Sequence, residues 1–178
     1  MKSIFLTVAL ILVVGIAGVL IFAATKPDVF RVARSTSIKA APDKIFPLIN
    51  EFRNWASWSP YEHRDPAMKR TYSGAESGKG AIYEWNGNSN VGAGRIEITD
   101  TTPPSKVMIN LDMLKPFEAH NNVVFTLEPK GETTSVTWAM SGPVPYFAKI
   151  MHVFMNVDRM VGTDFEAGLA NMKAVAEK

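Results

Sequence analysis

The sequence predicts an α+β domain in which one long C-terminal helix lies across a curved antiparallel sheet, with a single apolar helix ahead of it. Three observations predict this. Ile4 to Ala24 is a run of 21 residues without a charge. A series of short β-rich segments separated by turn residues fills the stretch from Met68 to Ser141. From about Pro145 to Ala176 apolar residues return at helical spacing.

The apolar run, wound as a helix, spans about 31 Å, close to the hydrocarbon thickness of a bilayer. A cleaved signal peptide carries a shorter apolar core, about 7–15 residues. Ala23 and Thr25 make a poor cleavage pair, so residues 1–25 are expected to form a retained transmembrane anchor, with Pro27 marking the exit from the helix. The side of the membrane is less directly coded. Lys26, Arg31, Arg34 and Lys39 follow the run and, read literally, would hold the domain in the cytoplasm. Arg31 and Arg34 fall within a strand, however, and a short positive N-terminus ahead of an apolar run resembles a signal anchor, which favours an extracytoplasmic domain.

The 47% hydrophobic fraction of the 178-residue chain is therefore an average over an anchor and an ordinary soluble domain. Charge is nearly balanced, with 19 basic and 17 acidic side chains. That disfavours a nucleic-acid binder and an acidic disordered chain alike. The absence of cysteine removes thiol nucleophiles, disulfide scaffolds and cysteine-ligated metals.

Residues 26–178 read in order as strand, two short helices, six strands and one helix. Phe30–Ile38 alternates as a first strand. Ala41-Pro42-Asp43 opens a short helix whose apolar face is Ile45, Phe46, Leu48 and Ile49, and a second helical turn runs from Phe52 to Ser57 until Ser59-Pro60 stops it. Strands follow at 70–73, 81–86, 94–100, 107–113, 120–128 and 134–140, and their short separators imply an antiparallel meander. Phe147, Ile150, Phe154, Val161, Phe165, Leu169 and Met172 then mark one continuous amphipathic stripe. A helix of that length buries its stripe best against the concave face of a curved sheet.

The segments Ala40-Ala41-Pro42-Asp43-Lys44-Ile45-Phe46, Trp55-Ala56-Ser57-Trp58-Ser59-Pro60, Gly78-Lys79-Gly80 with Tyr83-Glu84-Trp85, Thr134-Ser135-Val136-Thr137-Trp138, and the terminal segment from Asp158 to Lys173 stand out beside this order of elements. Together they resemble the START/Bet v 1-like superfamily, SRPBCC, and its polyketide cyclase/dehydrase-like branch. The resemblance covers essentially everything after the anchor. It implies a helix-grip fold with a cavity between sheet and helix, and it does not fix the chemistry, because the superfamily holds carriers, receptors and enzymes.

Strand alternation then nominates the cavity wall: Trp138 and Met140 on the last strand, Phe125 before it and Ile109 earlier, with Trp58 from the loop and Ile150, Met151, Phe154 and Met155 closing one end from the helix. Such aromatic and methionine walls suit flat or flexible apolar ligands. The expected partner is a hydrophobic small molecule, lipid, quinone or polyketide-like, bound beside the membrane. An alternative is a cyclase or dehydratase whose acid and base come from Asp158, Glu84, Tyr83 and His120. Asp158 sits at the flank of the helical stripe. Glu84 points opposite to Tyr83 and Trp85, so it is solvated if those rings face inward. Trp55, Trp58, Pro60 and Tyr61 read either as a structural plug or as a cavity entrance. His63, His120 and His152 are far apart with no i, i+4 pair, and Gly92-Ala93-Gly94 lacks a third glycine, so neither a metal site nor a dinucleotide cofactor is expected. The oligomeric state is open.

Overall fold

A computed structural model describes residues 2–178, with side chains from Ile4 onward. Helix α1 (Lys2–Ala24) is the apolar run. It is long and apolar enough to cross a membrane. It ends where Thr25 Oγ1 donates to the carbonyl of Phe22 at 2.7 Å and Pro27 follows.

Strand β1 (Val29–Ile38) leads into α2 (Pro42–Asn50). Pro42 opens that helix in its first turn, where no backbone donor is lost, and Ile45, Phe46 and Ile49 form its buried face. Two short 3₁₀ turns follow, Phe52–Ser57 and Pro60–His63. The meander is β2 (Lys69–Gly74), β3 (Ala81–Asn86), β4 (Ala93–Thr102), β5 (Lys106–Lys115), β6 (Ala119–Lys130) and β7 (Thr133–Pro143). All seven strands form one antiparallel sheet in the order β1-β7-β6-β5-β4-β3-β2, so the first strand closes onto the last. Register irregularities between Ala93 and Gly94 and between Ile98 and Asp100 fall in β4, the middle of the meander. Such bulges bend and twist a strand, and here they help curl the sheet.

The C-terminal segment departs from the sequence expectation. It is two helices, α3 (Tyr146–Phe154) and α4 (Val157–Ala176), separated by Met155 and Asn156. Asn156 caps α4, its side chain accepting from the backbone N–H of Arg159 at 2.9 Å, and Asp158 adds an acid to the first turn. Only α4 grips the sheet, burying Phe165, Leu169 and Met172. Helix α3 turns away and packs against α1, where the Tyr146 hydroxyl donates to the Leu20 carbonyl at 2.8 Å. The Lys149 ammonium, on a buried side chain, meets Asp28 at 2.6 Å beside this junction.

Two glycines let α4 lie close to the sheet. A Cβ on Gly162 would collide with the Arg34 guanidinium, and one on Gly168 would stand 2.7 Å from Cζ3 of Trp138. The core between α4, α2 and the sheet is rich in rings. Trp138 stacks on Phe165 at 4.1 Å, while Trp58 meets Trp138 and Phe125 edge-on at 5.5 and 6.0 Å. The indole N–H groups of Trp55 and Trp58 donate to the carbonyls of Ile49 and Leu48, at 3.0 and 2.8 Å. That pins the 3₁₀ turn onto α2 and satisfies buried donors. Trp55 and Trp58 thus form the plug, and Trp55 also shows an edge to the cavity described next.

Candidate functional site

The concave sheet, α4 and the two 3₁₀ turns enclose a cavity of about 280 Å³. Its wall is dominated by apolar groups: Ile96, Ile109, Val123, Trp138 and Phe165 are buried, whereas Trp85, Met113 and Met140 are half-buried toward the opening. Inward-facing positions alternate along each strand, so Tyr83 and Trp85 point in together and the intervening Glu84 points out. A few polar groups interrupt the wall, among them Ser59, Tyr61, Glu62, Asn90 and Asn121.

Glu62 organises the most ordered of these. It is buried, and its Oε1 accepts from the Tyr83 hydroxyl at 2.6 Å while Oε2 accepts from Arg70 Nε at 2.7 Å. Arg70 Nη2 also donates to the Glu62 backbone carbonyl at 3.0 Å. Burial, followed by the neighbouring Glu62 carboxylate, pushes the Tyr83 phenol far above the ordinary tyrosine range. Tyr61 is pushed up likewise, by burial and then by the Asp164 charge. These phenols are hydrogen-bond donors at any physiological pH.

One buried donor behind the wall is unmatched among the described residues. Trp138 Nε1 is buried and has no hydrogen-bond partner. The Cζ3 edge of the same ring faces Gly168 on α4, so the opposite edge, which carries Nε1, is turned away from the helix. A buried N–H left unpaired costs about 1–3 kcal/mol.

Of the residues nominated from sequence, Ile109, Trp138, Met140 and Tyr83 line this cavity. The others lie elsewhere. Phe125 and Trp58 are fully buried in the ring cluster behind the wall. Ile150, Met151, Phe154 and Met155 belong to α3 and the junction after it, which the helix break carries away from the cavity; Phe154 is 71% exposed. Asp158 is exposed, its two oxygens facing the Arg34 guanidinium at 3.0 and 3.1 Å, and that ion pair holds its carboxyl below the usual carboxylate range. His120 is exposed, and its hydrogen bond to Asp112 at 2.7 Å raises its pKa. Asp158, Glu84 and His120 therefore do not converge with Tyr83. Glu62 is the residue that sequence reading missed. It lies in an irregular turn, and its partners are 8 and 21 residues away in the chain.

The sequence profile of the family described as polyketide cyclase / dehydrase and lipid transport matches residues 29–177. The chain belongs to that family. The match runs from β1 to the last residues after α4 and leaves α1 outside. No curated protein matches the sequence. Among solved structures, the fold is similar to the Aha1 dimer protein of Colwellia psychrerythraea, with a TM-score of 0.60 at 16% identity, covering 83% of this chain and 96% of that one. It is also similar to a Chromobacterium violaceum protein, with a TM-score of 0.59 at 11% identity, over 86% and 99% of the two chains. A third similarity is to the major latex-like protein 151 of Panax ginseng, with a TM-score of 0.58 at 13% identity, over 85% and 100%. At such identities these likenesses concern the fold alone. They agree with the family in placing the domain among the SRPBCC helix-grip proteins.

Proposed function

We propose that this polyketide cyclase/dehydrase-family protein is a membrane-anchored binding module for a mainly apolar small molecule. In this reading residues 1–25 are a retained anchor and residues 26–178 the binding domain. The domain stands on the extracytoplasmic side, and the ligand is lipid, quinone or polyketide-like. The observation that carries the ligand assignment is an apolar cavity interrupted by a few polar side chains, among them Asn90 and Asn121. An oxygen on the ligand, carbonyl or hydroxyl, would accept from one of these amides, so the preferred ligand is an amphiphile rather than a hydrocarbon.

All four tryptophans lie in or directly behind the cavity wall, which makes intrinsic fluorescence a direct report. The full chain in nanodiscs, titrated with a short-chain quinone, should show saturable tryptophan quenching that a fatty acid of similar size competes away. Quenching that stays linear and uncompeted would remove the cavity reading. A periplasmic reporter fused after Lys178 checks the side of the membrane, and an expressed but silent fusion would place the domain inside.

A second reading, catalysis of a cyclase or dehydratase type, rests on the Tyr83–Glu62 pair at the wall. Both carboxylate oxygens are already engaged, and a tyrosine held far above its ordinary pKa is a weak acid. The pair is better suited to orienting a bound polar group. Mass spectrometry of probe released from the protein distinguishes the two, since an enzyme returns it altered.

A further inference from the structure

Helix α3, displaced from the cavity, is left with an unexplained surface. Phe147 and Phe154 are 68% and 71% exposed, and Met151 and Met155 are exposed beside them. Outside α1, the other large apolar side chains exposed among the described residues are Val29, Leu114, Phe117, Tyr146 and Met160. These positions share one end of the domain. The register pairs Val29 with Pro143 and Met113 with Ala119, so the start of β1, the end of β7 and the β5–β6 turn carrying Leu114 and Phe117 all lie at the end of the sheet where α1 arrives. Met160 is in the first turns of α4, next to α3. The opposite end, with Gly74–Gly80, the Gly131 turn and the C-terminus of α4, carries none of these exposed apolar residues.

Depth follows from a single contact. Tyr146, the first residue of α3, bonds to the carbonyl of Leu20, which lies inside the apolar run and four residues short of its end. That distance is about 6 Å along a helix axis. If α1 spans a bilayer, the Tyr146 hydroxyl reaches the level where interfacial helices sit, about 5–10 Å into the boundary between headgroups and acyl chains, while Lys149 on the same helix pairs with Asp28 four residues past the run. Most of the cavity's half-buried strand residues, Trp85, Leu111, Met113, Asn121 and Met140, lie on the half of the sheet toward this same end, which puts the mouth there.

We infer that α3 and the β5–β6 turn insert into the leaflet next to the domain, and that the cavity mouth faces lipid, so that an amphiphile passes between bilayer and cavity without crossing water. This rests on the anchored-binding reading above. The occupant of the patch is the bilayer surface, chosen because the patch is continuous with the helix expected to span it.

The chain has no cysteine, so single labelling sites can be introduced cleanly. Phe117→Cys, Phe154→Cys and, at the far end, Glu132→Cys would each carry an environment-sensitive fluorophore on the full chain reconstituted in phosphatidylcholine vesicles. Brominated acyl chains should lower emission about twofold or more at positions 117 and 154, as expected for probes at interfacial depth. Iodide in the buffer should quench only position 132. Labels at 117 and 154 that behave like the one at 132 would overturn the inference. Shielding from iodide without quenching by brominated lipid would also overturn it, and would assign the patch to a second copy of the chain. Flotation of the same samples after alkaline washing separates the cases. Vesicle-bound protein with water-exposed labels refutes docking alone, whereas loss of flotation refutes the anchor and docking together. As a second measurement, Phe117→Asp with Phe154→Asp should slow transfer of a fluorescent fatty acid from vesicles to the cavity several-fold without changing flotation, and an unchanged rate would count against the lipid-facing mouth.

Discussion

Trp138 of β7 and Phe165 of α4 stack with ring centroids 4.1 Å apart and planes 11° from parallel, and both rings form cavity wall. The contact that fixes helix to sheet is therefore part of the surface a ligand would touch. Phe165→Ala should cost about 3–5 kcal/mol of stability, through lost burial and the void left against Trp138. Phe165→Leu should cost less while still opening space at the wall. Thermal unfolding of the full chain, with and without a quinone, checks both, and the Leu variant should be the more responsive to added ligand.

Trp138→Phe separates the ring from its N–H. The stack on Phe165 is retained, and an unmatched buried donor disappears. The smaller ring leaves a void in the core, so stability should fall by about 1–2 kcal/mol even though the donor is removed. Because that N–H is closed off even to water, affinities for an oxygen-bearing amphiphile and a matched hydrocarbon should change alike. Fluorescence titration of the two ligand types checks this, and a loss confined to the amphiphile would mean that the ring turns to present its N–H on binding.

The glycines of α4 set how tightly the helix closes. Gly168→Ala drives a methyl group against Trp138 and the ring of Pro60, so the gain in helix propensity should be outweighed by about 1–3 kcal/mol of overpacking. Gly162→Ala displaces Arg34, whose guanidinium bonds to Asp158 and Glu166. Because both of those acids are exposed, that ion-pair loss should matter less than the clash at Trp138. Melting temperatures of the two variants should rank accordingly, Gly168→Ala below Gly162→Ala.

How far the sequence carried these conclusions depends on the kind of signal each residue leaves. Alternation in β3–β7 made the inward faces legible, and the Tyr83-Glu84-Trp85 triplet resolved as alternation requires, with Glu84 outside. The break between α3 and α4 was hidden because Phe154 and Val161 are seven residues apart, about two helical turns, so the apolar stripe stays in phase across it. The readable cue was Asn156 followed by Asp158, a cap residue and an acid in the next turn. With the stripe misread as one helix, Ile150, Met151, Phe154 and Met155 were assigned to the cavity, although they sit on the turn of chain that returns to α1. Glu62 left no periodic trace, since a 3₁₀ turn of four residues has too few positions to show a face, and its role exists only through contacts made by folding.

The Tyr83–Glu62 contact also sets an alkaline limit to stability. Tyrosine in an unfolded chain ionises near pH ~10. In the folded domain burial and the Glu62 carboxylate raise Tyr83 well above that, and burial raises Tyr61 and Tyr72 in the same direction. A group whose folded pKa is raised contributes stability in full below its unfolded pKa and loses it as the pH climbs toward the folded value. The domain should therefore lose stability progressively above about pH 10, and tyrosinate absorbance should appear together with unfolding instead of before it for these three residues. Glu62→Gln keeps the shape but removes the charge, so Tyr83 should ionise at lower pH than in the wild type while burial still holds it above the ordinary value. At neutral pH the same substitution leaves Arg70 facing an uncharged amide and should cost about 1–3 kcal/mol. Ultraviolet titration paired with thermal melts across the alkaline range tests both halves, and an unchanged tyrosinate profile in Glu62→Gln would show that burial alone governs Tyr83.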